Sequence, residues 1–83
     1  MNTKEIIAWI NKPEHTKRVR DDYIDRGAIA LRRVCFSNGD TFENITKYRD
    51  NRNEECTVEC KVNGITVLIE RLVYDNFGWR KLS

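Results

Sequence analysis

Apolar and polar positions change their period partway along the chain. In the first segment Ile6, Ile7 and Ile10 fall on one helical face. Asn2 stands three residues before Glu5, the spacing of a capping box in which each side chain meets the other residue's backbone N–H. A helix is therefore predicted up to Asn11-Lys12-Pro13, where proline disfavours helical conformation in the residue before it. Pro13 also suits the first turn of a second helix, expected to run to about Ile24 with Val19 and Tyr23 on its inner face. Lys17–Asp21 and Arg18–Asp22 have i,i+4 spacing, and Gly27 suits a left-handed C-terminal cap.

From residue 28 the pattern becomes that of strands. Ile, Val and Thr are frequent, Leu and Ala are scarce, and apolar positions alternate. Two Asn-Gly pairs, Asn38-Gly39 and Asn63-Gly64, lie between such runs, and both residue types tolerate the positive φ of a two-residue hairpin turn. The expected hairpins are Ala28–Phe36 with Thr41–Tyr48, and Glu55–Val62 with Ile65–Tyr74. A further turn at 75–78 leaves Trp79–Leu82 as a short edge strand. The fold class is thus α+β, one domain over residues 1–83. Residues 1–27 are expected as two short helices, and residues 28–83 as a four- to five-stranded antiparallel sheet built from two hairpins.

Two-residue turns would fix the register, setting Cys60 opposite Val67, Val58 opposite Ile69 and Cys35 opposite Phe42. The second face of each hairpin then becomes half apolar, where period-2 alternation should make it polar. Either a curled sheet with the Phe77–Trp79 segment covers that face, or it is an interface. The candidate protein-contact set is Val34, Phe36, Ile45, Leu68, Leu72 and Tyr74, rimmed by Arg32, Lys47 and Glu70. It suits a host protein or a second copy in a homodimer.

Composition narrows the choice. With 83 residues there is room for one small core. Ile, Val, Leu and Phe make up 21 of the 83, enough to fold. Lys and Arg number 15 against 13 Asp and Glu, so a strongly charged nucleic-acid binder is disfavoured. Arginine outnumbers lysine nine to six, and guanidinium favours bidentate phosphate contact and stacking. A local basic site is expected where Tyr48, Arg49 and Arg52 meet Trp79, Arg80 and Lys81, with RNA or another single strand as ligand.

The odd cysteine count, the lack of a signal-peptide core and the lack of a long apolar run point to a reducing cytoplasm and to no membrane partner. Cys35, Cys56, Cys60 and His15 have a zinc-like composition. But Cys56 and Cys60 on one strand would sit about 13 Å apart, too far for one zinc or for a disulfide. Buried thiols are expected instead, with no metal or other cofactor. His15 is expected as a solvated helix residue. No catalytic motif is present, so the protein is expected not to be an enzyme. A metal-dependent nuclease built on Glu54-Glu55 is the remaining enzymatic alternative. The short chain, the hairpins and the high asparagine content resemble, by analogy and through no single residue, phage accessory proteins that bind and inhibit a host defence enzyme, toxin or polymerase. The expected function is a non-catalytic module that occludes or sequesters a macromolecular partner.

Overall fold

A computed structural model describes residues 1–49, 55–75 and 78–81. One α-helix, α1 (Thr3–Ile10), and a single 3-10 turn at Pro13–His15 precede six strands. These are β1 (Arg18–Arg26), β2 (Ile29–Phe36), β3 (Thr41–Tyr48), β4 (Glu55–Val62), β5 (Ile65–Asp75) and β6 (Gly78–Lys81). Each strand pairs antiparallel with the next in sequence, giving one sheet in the order β1-β2-β3-β4-β5-β6.

The expected two-helix, four- to five-stranded architecture is corrected in one stretch. Residues 18–26 form an edge strand where the second helix was expected, and the sheet gains a sixth strand. Val19, Tyr23 and Ile24 favour strand over helix, and the acid–base spacing serves β1 equally well. Asp21 receives Arg32 from the neighbouring strand at 2.9 Å, and Arg20 pairs with Asp22 two residues on. Gly27, at φ 61°, supplies the positive φ of the turn from Arg26 to Ile29. The charged, almost wholly exposed β1 is also what an edge strand needs to resist pairing with other chains.

The expected capping box is present. The Asn2 side chain accepts from the Glu5 N–H at 2.8 Å, and the Glu5 carboxylate accepts from the Asn2 N–H at 3.0 Å. The terminal amine donates to the Val67 carbonyl at 2.9 Å, tying the start of α1 to the sheet.

Two one-residue slips decide which side chains form the core. Asn63 and Gly64 both take positive φ, and Val62 pairs with Ile65 as expected. Beyond that pair, Cys60 stands opposite Leu68, not Val67, because Val67 is the extra residue of a β-bulge. The other hairpin turns through Ser37, Asn38 and Gly39. The Gly39 N–H donates to the Phe36 carbonyl, and the Phe36 N–H donates to the Asp40 carbonyl. With only Gly39 at positive φ, this is a three-residue loop with a glycine bulge. It sets Val34, not Cys35, opposite Phe42.

Both slips move apolar side chains from the expected second face into the core. Ile6, Val34, Phe36, Phe42 and Cys60 form one buried cluster, with Trp9, Ile10, Val58, Val62, Val67 and Leu68 packed around it. The face under α1 is called inner below, and the opposite face outer. An eight-residue helix is about 12 Å long, so it covers one end of the inner face and none of the outer.

Candidate binding surfaces

Register alone assigns the outer face. Ile24 of β1, Leu31 of β2 and Ile45 of β3 stand side by side, followed by Glu59 of β4 and Ile69 of β5. Ile29 lies one row away, beside Arg26 and Lys47. Among the described residues no helix lies over this row. Ile24 and Ile29 are each 47% exposed and Ile69 is 60% exposed. A shallow depression of about 210 Å³ opens between Ile45, Lys47, Thr57, Glu59 and Ile69.

The near-neutral chain divides its charge unevenly between the two faces. Arg20 and Arg26 of β1, Arg33 of β2, Lys47 of β3, Lys61 of β4, Arg71 of β5 and Arg80 of β6 have outer register positions. So do Asp22, Glu43, Glu55 and Glu59. Among the described strand side chains the outer face therefore carries seven cations against four carboxylates. Arg18, Arg32 and Lys81 balance Asp21, Asp25 and Glu70 on the inner face. Every aromatic ring of the described strands lies on the inner side.

A second group of residues gathers at the sheet end away from α1, with its rings on the inner face and Lys47, Glu55, Thr57 and Arg71 at outer positions. The Trp79 ring centroid lies 5.4 Å from that of Tyr74 and 6.5 Å from that of Tyr48. Tyr48 also lines a depression of about 430 Å³ with Lys47, Arg49, Glu55, Cys56, Thr57 and Arg71. Glu55 holds two guanidinium groups there, Arg71 at 2.5 Å and Arg49 at 3.0 Å. Arg71 first, and then Arg49, keeps the Glu55 carboxyl below its ordinary range.

The residues expected at the protein contact fall in three places. Val34 and Phe36, 4% and 2% exposed, are core residues and cannot contact a partner; Leu68 packs beside them. Ile45 and Lys47 lie on the outer face. Arg32, Leu72 and Tyr74 lie on the inner face, with Arg32 bonded to Asp21. Of the expected basic site, Tyr48, Arg49 and Trp79 come together. Lys81 pairs with Glu70 at 3.5 Å, Arg80 points from the opposite side of β6, and Arg52 lies outside the described residues. Sequence reasoning missed Arg71 and Lys47 as members of this group. Both stand beside Thr57 in the sheet register: Arg71 because the Val67 bulge shifts β5 by one residue, and Lys47 through the β3–β4 pairing, which no turn signal in the sequence fixed.

His15 is not the expected solvated helix residue: it is buried, 5% exposed. Its Nδ1 lies 2.6 Å from the Trp9 carbonyl oxygen and its Nε2 2.8 Å from the Asp40 carboxylate. Its ring stacks on Phe36 at 4.1 Å and tilts against Trp9 at 4.4 Å. The network links the end of α1 to the β2–β3 loop. The His15 bond, followed by those from Asn63 and Asn38, holds the Asp40 carboxyl below its ordinary value. Asp21 is lowered in the same way, chiefly by Arg32.

These three carboxylates predict an acid limb in stability. A folded-state pKa below the unfolded value adds stability that is present above the ordinary carboxylate range and lost as pH falls through the folded value. The melting temperature should therefore hold near pH 6 and fall between about pH 5 and pH 3. Asp40→Asn should flatten that decline in thermal melts at several pH values. An unchanged slope in the variant would remove Asp40 from the account.

Cys56 and Cys60 are buried free thiols, and Cys35 is a half-buried one. Burial pushes the Cys56 and Cys60 thiols up, which keeps them protonated and poor nucleophiles. Among the described residues, no three His, Cys, Asp or Glu side chains converge as a metal centre requires. Glu55 is engaged by its two arginines; Glu54 lies outside the described residues. Among those residues no helix is long and apolar enough to cross a membrane. No family model, curated protein or solved structure matches the chain.

Proposed function

We propose that this protein is a non-catalytic binding module that occludes a partner protein with the outer face of its sheet. The carrying observation is the aliphatic row Ile24, Leu31 and Ile45 across β1–β3, continued past Glu59 of β4 by Ile69 of β5, with Ile24 and Ile69 exposed and Leu31 and Ile45 half-buried. Leaving such a row in water forgoes about 25 cal/mol per Å² of apolar area that a partner would cover. An apolar centre within a charged rim is the usual anatomy of a protein interface.

The partner's contact surface is acidic. Among the described strand side chains, seven outward cations against four carboxylates favour a negative surface and speed its approach. The same excess opposes a symmetric dimer, because a two-fold contact would press two like-charged faces together. Without rings on the strands of this face, stacking of bases has nothing to act on there, so a protein suits it better than a nucleic acid. Inhibition of an enzyme or toxin would follow from simple coverage of its working surface.

The test uses the paired substitution Ile45→Glu with Ile69→Glu. Ile69 is exposed and Ile45 half-buried on this open face, so the double variant should still melt cooperatively, at a lower temperature than the parent. A protein captured by the parent from nuclease-treated native lysate is purified and titrated against both forms. The parent should bind at one-to-one stoichiometry, weakened by salt, and the double variant at least tenfold more weakly. Equal affinity for the two forms, or a dimer of the free parent in light scattering, overturns the proposal.

A further inference from the structure

We infer that the outer face receives one short segment of the partner, in which an aliphatic residue is followed by two acidic ones at alternate positions. The aliphatic side chain rests between Ile45 and Ile69, and the carboxylates lie over Lys47, Arg71 and Arg49. This rests on the outer-face reading above and names what that face takes. Two depressions carry it. The smaller, about 210 Å³, is lined by Ile45, Lys47, Thr57, Glu59 and Ile69. The larger, about 430 Å³, gathers Lys47, Arg49 and Arg71 round one carboxylate, Glu55, a net charge of +2. Lys47 and Thr57 line both, so the aliphatic and cationic seats are continuous.

Register sets the order of the seats. Ile45 and Lys47 hold successive outer positions of β3. Arg49 takes the next, because its N–H donates to the Glu55 carbonyl at 2.9 Å and so continues the β3–β4 pairing. Successive outer positions on a strand lie about 6.6 Å apart. Alternate side chains of an extended segment laid along β3 and β4 have the same spacing, so one aliphatic residue and acids two and four places on match three consecutive outer rows. Charge fixes the direction. Glu59 borders the aliphatic seat and accepts from the Thr66 hydroxyl at 2.6 Å, so a carboxylate is repelled at that end and drawn to the other. There Glu55 takes one N–H from each of Arg49 and Arg71, and each guanidinium has five. Their side chains are 76% and 55% exposed, against 20% for Glu55. An incoming carboxylate therefore meets guanidinium first, and charge-assisted pairing of this kind is the strong form of the hydrogen bond.

The probe is the peptide Gly-Leu-Ser-Glu-Ser-Glu-Gly, acetylated and amidated so that its only charges are the two carboxylates. It is titrated to about 5 mM, a range that reads millimolar affinity, into the nitrogen-15-labelled full chain at low salt, and amide chemical shifts locate it. Saturable shifts are expected at Lys47, Arg49, Thr57 and Arg71, with affinity falling as salt rises. Changing both glutamates to glutamine should abolish binding, and changing the leucine to serine should weaken it about fivefold. Arg49→Gln and Arg71→Gln should each weaken it about threefold. Arg49 lies beyond the end of β3, so its variant keeps the question answerable if Arg71→Gln does not fold. No saturable shift at these four amides overturns the inference. So does equal binding of the peptide without its leucine, or tighter binding of an oligouridylate at the same residues, which would assign the cations to phosphate. The titration needs no captured partner, so the two proposals fail separately. A partner that binds the Ile45→Glu, Ile69→Glu protein weakly but the Arg49→Gln, Arg71→Gln protein as tightly as the parent keeps the outer-face reading and removes the acidic segment. A partner indifferent to Ile45→Glu, Ile69→Glu, with the peptide bound as expected, removes the outer face as the occluding surface and keeps the seat.

Discussion

Phe36→Ala is expected to leave the protein unfolded at 25 °C. Phe36 is 2% exposed and lies at the centre of the small core. Its ring meets Trp9 edge-on at 5.9 Å and stacks on His15 at 4.1 Å, so one truncation removes the surface that both α1 and the 3-10 turn pack against. Phe→Ala in a core costs about 3–5 kcal/mol. A domain of this size has roughly 3–5 kcal/mol of net stability without disulfides or metals. The cost matches the whole margin. Circular dichroism during urea titration should show a cooperative transition for the parent and none for the variant. Ile69→Ala, an equally apolar truncation on the bare outer face, should change stability by no more than about 0.5 kcal/mol. A Phe36→Ala protein that melts cooperatively within a few degrees of the parent would mean that the helix and sheet do not share one core.

The elements were legible where local chemistry had one outcome. Asn2 and Glu5 can satisfy each other's N–H groups only in a capping box, and Asn63-Gly64 favours a type I′ turn. Residues 18–26 were less legible because their cue was charge. Lys17–Asp21 and Arg18–Asp22 match helical spacing, but an exposed edge strand needs charged residues too, and it has little apolar alternation to reveal it. The choice between helix and strand was made by pairing with β2, through contacts such as Arg32 with Asp21 across the two strands.

The binding surfaces were harder to read because each depends on register. A single inserted residue exchanges the two faces of a strand. Gly39 as a three-residue loop brings Val34 and Phe36 inside and turns Leu31 toward Ile45. Val67 as a bulge brings Leu68 and Leu72 to the side of Cys60. The half-apolar second face expected from two ideal turns largely disappears, and a different row takes its place outside. Leu31 and Ile45 were assigned to opposite faces by the two-residue turn, so their pairing on one face could be found only after Gly39 was placed. The cationic bias of the outer face was hidden for the same reason, since a net charge of +2 says nothing about how the charges divide between faces.

His15→Ala is expected to cost on the order of 3 kcal/mol, from loss of a buried ring and its paired hydrogen bonds. A single histidine between charged residues has no periodic partner, so nothing in the sequence separates a buried ring from a solvated one. In the fold, Pro13 starts the short turn that drops His15 beneath Trp9, with Phe36 on its other side. The Trp9 carbonyl and the Asp40 carboxylate lie one at each ring nitrogen, so the imidazole bridges the end of α1 and the β2–β3 loop. Alanine removes both bonds and leaves the Trp9 carbonyl without this donor. It also empties the space between two aromatic rings that otherwise hold α1 against the β2–β3 loop. His15→Phe separates these contributions, since it refills the space and restores stacking without either bond. The Ala variant should unfold at much lower urea than the parent, with the Phe variant between them. If the Phe variant is as unstable as the Ala variant, hydrogen bonding accounts for the cost. If it equals the parent, packing does. If the Ala variant matches the parent, the link from α1 through His15 to Asp40 carries no stability and the helix is held by Ile6, Trp9, Ile10 and the terminal amine's bond to Val67.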